Sequence, residues 1–261
     1  MDSDNEIIRM PAIFVGHGSP MNAIEDNEFS RQWADIGRRI PKPEAIVCIS
    51  AHWETKGTMI TAMEQPKTIY DFIGFPQALY EIKYPAKGAP ELANFIKAMV
   101  RQTPVYSDLG WGLDHGTWSV LCRMFPDADI PVLQLSLDFS KEPAFHYDLA
   151  KELKPLRSKG ILILGSGNIV HNLRMMVWQD QAYSWAVEFD DTVKHLILSG
   201  DHESLVRYPK IGEAARLSIP TNEHYLPLLY ILALQEKADK IEFFADKITL
   251  GSISMRSLII A

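Results

Sequence analysis

The feature that most constrains the fold is an alternation of short apolar runs with longer amphipathic ones. Residues 12–15, 45–50, 131–137, 161–164 and 241–244 are apolar runs bounded by Gly or Pro, the pattern of strands buried on both faces. Between them, residues 29–40, 90–100, 117–125, 142–156, 185–198 and 224–235 read as helices. In the first, Phe29, Trp33, Ile36 and Ile40 recur near the 3.6-residue period; in the second, Pro90 stands at the start, where its missing N–H has no partner to lose. Strands alternating with helices predict an α/β fold with a central mixed or largely parallel sheet, flanked by helices on both faces. No repeat, low-complexity tract or Ser/Gly linker divides the 261 residues. One catalytic domain over 1–261 is expected, with residues 1–10 as a disordered extension.

Charge and cysteine content narrow the partners. A net charge of −7 and no Lys/Arg run longer than Arg38-Arg39 leave nothing to offset phosphate repulsion, so no nucleic-acid partner is expected. Cys48 and Cys122 are the two cysteines and form no CxxC spacing, which suggests neither a disulfide framework nor a thiolate zinc site. The acidic start MDSDNEIIRM is unlike a signal peptide. The longest apolar stretch, 225–234, contains Pro227 and falls short of the roughly 20 residues that cross a bilayer. A cytoplasmic protein with no membrane partner is expected.

The histidines carry the chemical signal. His17, His52 and His171 each follow a predicted strand, and His224 falls in the first turn of the last long helix, where Thr221 or Asn222 could cap the backbone. Open α/β sheets bind ligands outside the carboxyl ends of their strands. One histidine there is ordinarily structural; three at one edge, set among Gly and small residues, suggest ligands to a metal with open positions. Neutral imidazole suits iron, zinc, copper or nickel, and the lack of thiolates favours an open catalytic site over a closed structural one. GSG at 165–167 is no dinucleotide fingerprint, because position 170 is Val170, and GHGSP around Ser19 is not a GxSxG elbow. His115, beside Asp114 at a helix start, reads either as a second acid/base group or as a capping residue. His146, His195 and His202 lie among charges and are expected to be solvated. Residues 64–89, rich in Tyr, Phe and Pro, are expected as a binding wall or lid, or else as a satellite hydrophobic cluster.

Six ordered blocks, GHGSPMN, SAHW, DFIGFPQALYEIKYPA, GLDHGTW, GSGNIVHNL and EHYLPLLY, make the chain resemble the class III extradiol ring-cleavage dioxygenases, in the branch of DOPA 4,5-dioxygenase-like proteins. The resemblance runs from about Pro11 to the C-terminus. It implies one α/β domain holding one divalent metal, iron(II) in ring-cleaving members and zinc in related proteins. His17 and His52 match the two metal-binding histidines of the first blocks, and His224 matches the third ligand in preference to Glu223. His171 matches an acid/base histidine that related proteins use as a fourth ligand, and His115 matches another near the substrate. Trp53, Phe72, Trp118 and Tyr225 are candidate pocket walls by adjacency alone. The implied reaction inserts O2 into a catechol beside its two hydroxyls, taking DOPA to 4,5-seco-DOPA. The same resemblance leaves two other readings, a zinc-occupied silent protein and a zinc-water hydrolase; no extra carboxylate base is evident near the histidine motifs for the latter.

Overall fold

A computed structural model describes residues 9–179 and 181–261. Most of the extension expected over 1–10 thus lies outside the described residues. Its last two members belong to the fold: Arg9 pairs with Asp239 at 2.6 Å, and Met10 is buried, its N–H donating to Arg157 O at 2.9 Å.

Six strands form the central sheet: β1 (Ala12–Gly16), β2 (Ala45–Ser50), β3 (Val132–Gln134), β4 (Ile161–Gly167), β5 (Ile241–Phe244) and β6 (Ser257–Ile260). Their order is β3-β2-β4-β1-β6-β5. The first four run parallel, and β6 lies antiparallel to both β1 and β5. The sheet is therefore mixed, with every strand but β6 pointing its carboxyl end at one edge. The helices that cover it are α1 (Glu28–Arg39), α2 (Pro90–Met99), α3 (His115–Met124), α4 (Pro143–Lys151), α5 (Ser184–Ser199) and α6 (Leu226–Ala233).

Two-residue alternation along the strands splits the core between the two faces. Ile13 and Val15, Ile46 and Cys48, and Leu162 and Leu164 turn towards Trp33 and Ile36 of α1 and Trp118 and Leu121 of α3. Phe14, Val47, Ile49 and Ile163 turn the other way, onto Leu149 of α4, Phe189 of α5 and Leu228 and Ile231 of α6. Each such aliphatic side chain contributes about 1.5–3 kcal/mol on burial. Helix α6 is buried on every side, which explains why its residues are apolar all round rather than on one stripe. Among the described residues no helix is long and apolar enough to cross a membrane.

Four expectations need correction. The run 131–137 is not one strand: β3 ends at Gln134, and Leu137–Asp138 pairs instead with Glu54–Thr55. The helix expected over 142–156 stops at Lys151, and a separate turn, Lys154–Arg157, begins around Pro155, which lacks the N–H that a continuing helix would use. His224 precedes α6 in a turn, and Asn222 O, not a capping side chain, takes the N–H groups of Tyr225 and Leu226. His146 is fully buried, its Nδ1 lying 3.1 Å from Tyr230 Oη, because the apolar face of α4 carries it inward. Strand β6 was not expected at all. Its apolar run is only SLII, with Arg256 before it and no Gly or Pro to frame it.

Candidate active site

Five histidines meet at the carboxyl edge of the sheet. His17 follows Gly16, the last residue of β1, and its N–H donates to Gly167 O of β4 at 3.0 Å. His52 stands two residues beyond β2, and His171 four beyond β4. His115 opens α3, which Asp114 caps by accepting the Thr117 N–H at 3.1 Å. His224 is brought in from the other face by close backbone packing. Its carbonyl accepts the Asn168 N–H at 2.8 Å, and a Cβ placed on Gly167 would lie 2.1 Å from that oxygen. Gly18, with φ +56°, turns the chain away directly after His17.

The ring centroids of His17, His52 and His224 form a triangle with sides of 5.0, 5.0 and 5.3 Å. His115 flanks His52 at 3.9 Å, and His171 lies parallel to His224 at 3.4 Å. Nitrogens of His17, His52 and His115 come within 4.8 Å of one another, and so do the donor atoms of His171, Glu223 and His224.

The hydrogen bonds assign the tautomers. Ser166 Oγ donates its one proton to Gly116 O, so it accepts from His17 Nδ1 at 3.0 Å. That leaves His17 Nε2 bare. Asp71 Oδ2 lies 3.3 Å from His52 Nδ1 and 2.9 Å from His115 Nδ1. The Asp71 charge beside Nδ1 favours the His52 tautomer that keeps its proton there, which leaves its Nε2 bare as well. These two bare nitrogens face each other at 3.1 Å. Two lone pairs so placed repel unless a cation stands between them, so the donor set fits a divalent metal. Glu223 Oε1, 3.0 Å from His224 Nδ1, orients that ring in the same way.

Burial keeps the rings of His17, His52, His171 and His224 in the neutral, ligating form. Desolvation first, then the neighbouring rings, holds His17 and His224 well below the ordinary imidazole value. Desolvation and His115 lower His52 to about 3 despite the Asp71 charge, and the same two causes lower His171 to about 4. Burial acts to raise the Asp71 carboxyl, but the His115 and His52 contacts outweigh it and hold the group below its usual range.

The five rings and Asp71 form the floor of a cavity of about 420 Å³. A family model described as the catalytic LigB subunit of aromatic ring-opening dioxygenase matches residues 11–257. The chain belongs to this LigB family. A 4,5-DOPA dioxygenase extradiol of Escherichia coli K12 is 49% identical over 256 residues, covering 96% of this chain and 94% of that relative. One of Beta vulgaris is 37% identical over 251 residues, covering 94% of each. A crystal structure of an uncharacterized Escherichia coli K12 protein superposes with a TM-score of 0.85 at 44% identity, covering 97% of this chain and all of the other. The enzyme class is accordingly an extradiol, aromatic ring-opening dioxygenase, and the α/β fold expected from the alternating pattern is that of the solved relative.

In this LigB enzyme the cavity walls are Phe72, Phe75, Leu173, Met176, Trp178 and Ile253. Of the four wall candidates named from sequence adjacency, only Phe72 lines it. Trp53 is buried and stacks on Trp111, centroids 5.8 Å apart. Trp118 lies behind Phe72 and donates from Nε1 to Ile69 O at 2.8 Å. Tyr225 points into the core, donating to Leu205 O at 3.2 Å. The aromatic segment 64–89 plays both expected parts: Phe72 and Phe75 face the cavity, whereas Leu79 and Tyr84 are buried in the core cluster.

Sequence reasoning missed Asp71, Ser166 and the orienting part of Glu223. Asp71 is also an extra carboxylate of the kind that is not evident near the histidine motifs in the sequence. Its neighbour in sequence, Phe72, stands out as an aromatic, but nothing in the block DFIGFP indicates that the carboxylate folds onto two distant imidazoles.

Proposed function

We propose that this enzyme opens the ring of a catechol carrying an amino-acid tail, DOPA to 4,5-seco-DOPA, in one catalytic domain, with His17, His52 and His224 holding iron(II). The observation that carries the metal assignment is the pair of Nε2 atoms facing each other at 3.1 Å on the cavity floor. Ser166 and Glu223 hydrogen-bond to the His17 and His224 rings and the Asp71 carboxylate lies beside that of His52, so each ring has a partner that orients it, as is usual for metal-ligating imidazoles. Support for DOPA as substrate comes from the relatives named 4,5-DOPA dioxygenase.

Iron(II) bound there would supply the one-electron chemistry that lets a catechol react with O2. The remaining tasks fall to side chains. His171 lines the cavity, is neutral at pH 7 and carries no ring hydrogen bond among the described residues. It is thus the ring left able to take a catechol hydroxyl proton at a bare nitrogen and return it later. His115, fixed by Asp71 beside His52, stands as a second polar contact for the substrate oxygens. Phe72, Leu173 and Trp178 give the aromatic ring apolar surfaces and keep water from the reacting carbons. The two free thiols, Cys48 and Cys122, fit a reducing cytoplasm as the working compartment.

The test is metal analysis joined to oxygen uptake. Wild-type protein loaded with iron(II) under nitrogen should hold about one metal per chain and consume O2 with DOPA. His17→Ala should fold and lose the metal. A His17→Ala protein that keeps a full metal complement contradicts the ligand assignment; no oxygen uptake across a panel of catechols, with iron occupancy measured, contradicts the reaction. Zinc binds such nitrogen sites more tightly than iron(II), so the same analysis on protein purified without added metal identifies the ion it takes up unaided.

A further inference from the structure

We infer that Arg174 reads the carboxylate tail of the substrate from a side pocket that adjoins the main cavity, an inference resting on the catechol-cleaving function proposed above. No Lys or Arg lines the main cavity among the described residues, and its walls away from the histidines are largely apolar. A carboxylate drawn in there without a partner would be desolvated with nothing in return. A second cavity of about 230 Å³ lies directly alongside. It shares His171 and Leu173 with the first, and its other walls include Arg174, Thr221 and Glu223.

Arg174 sits in the single helical turn Leu173–Met175, so the residue that divides the two cavities is its immediate neighbour. Its guanidinium is exposed and makes no hydrogen bond or ion pair among the described residues. A planar guanidinium matches a carboxylate with two parallel N–H donors. Across the same pocket, Glu223 Oε1 takes both the Thr221 hydroxyl, at 3.0 Å, and the His224 ring, at 3.0 Å. Oε2 of Glu223 carries no such bond among the described residues and is the acceptor for an ammonium. The pocket therefore offers one cation and one anion, the complement of a zwitterionic α-amino acid, while the catechol ring stays over the histidines. A substrate with an uncharged tail leaves both groups unused.

The experiment compares Arg174→Gln, Arg174→Lys and wild type, all iron-loaded, on DOPA, dopamine and 4-methylcatechol. In Arg174→Gln the preference for DOPA over 4-methylcatechol, as a ratio of kcat/KM values, should fall about 10- to 100-fold, mainly through KM, as for a lost charged hydrogen bond. Dopamine, which keeps the ammonium but lacks the carboxylate, should be as little affected by Arg174→Gln as 4-methylcatechol is, and Arg174→Lys should recover part of the preference for DOPA. Equilibrium dialysis of zinc-loaded protein under nitrogen should show the same selective loss of DOPA binding without turnover. An unchanged ratio in Arg174→Gln, with wild type active on catechols, overturns the role of Arg174 alone. Wild-type inactivity on all three compounds overturns the function on which the inference rests, and the inference with it.

Discussion

One oxygen of Asp71 stands beside two imidazoles, and a hydrogen bond from the His115 backbone N–H to Oδ1 at 2.9 Å fixes the carboxylate itself. Exchanging it for an isosteric amide keeps the shape and removes the charge. Asp71→Asn should thus fold normally and hold its metal about 10- to 100-fold more weakly, measured by competition with a chelator, as when outer-shell partners are lost elsewhere. Affinity equal to wild type would leave Asp71 without an orienting role. The histidines themselves were legible in the sequence because strand ends and glycines announce where a ligand edge lies. Their partners were not, because Ser166, Asp71 and Glu223 reach the rings through tertiary contacts with no fixed spacing. His146 shows the reverse failure, since charged neighbours in sequence hid a side chain that α4 turns into the core.

At the level of elements, the junction between β4 and the turn before α6 decides whether the site closes. Gly167 allows the His224 carbonyl to lie where a side chain would otherwise stand, and Gly165 does the same for Pro227 O, with a Cβ only 2.6 Å from it. Gly167→Ala should force the two segments apart, costing about 1–3 kcal/mol as overpacking does, and should loosen metal retention more than its effect on global stability suggests. Denaturant midpoints together with metal content check both halves of that expectation; an unaltered protein would mean that the turn gives way freely. The strands β1, β2 and β4 and the helix α1 were readable from their apolar period. The break inside 131–137 was not, since Leu135 and Leu137 are as apolar as Leu133, and only the pairing of Leu137 with Glu54 redirects the chain. The use of GSG, close approach of one backbone to another, needs the packed structure to be seen.

For the whole molecule, buried neutral histidines make stability depend on acid. His146, remote from the cavity, is lowered to about 4, chiefly by burial. An unfolded histidine takes up its proton near pH 6.5. Between those values the unfolded chain binds the proton and the folded one does not, so the stabilisation is present in full above pH 6.5 and is lost as pH falls towards 4, by about 1.4 kcal/mol per pH unit for each such ring. His52 and His171 add to the slope in metal-free protein. Replacing His146 with Leu should flatten the dependence of unfolding free energy on pH in this window by about one proton, measured from urea midpoints at pH 4.5 to 7. An unchanged slope would show that His146 is protonated in the native state. The edge of the sheet carries one more consequence. Strand β6 lies against β1, Ser257 Oγ accepts the Gly16 N–H at 2.9 Å, and Met255 backs Gly16 and Gly18. The residues that brace His17 are thus translated some 240 positions after it. During synthesis the first histidine of the centre waits for the last strand, and a nascent chain still lacking β6 has no finished place to receive its metal.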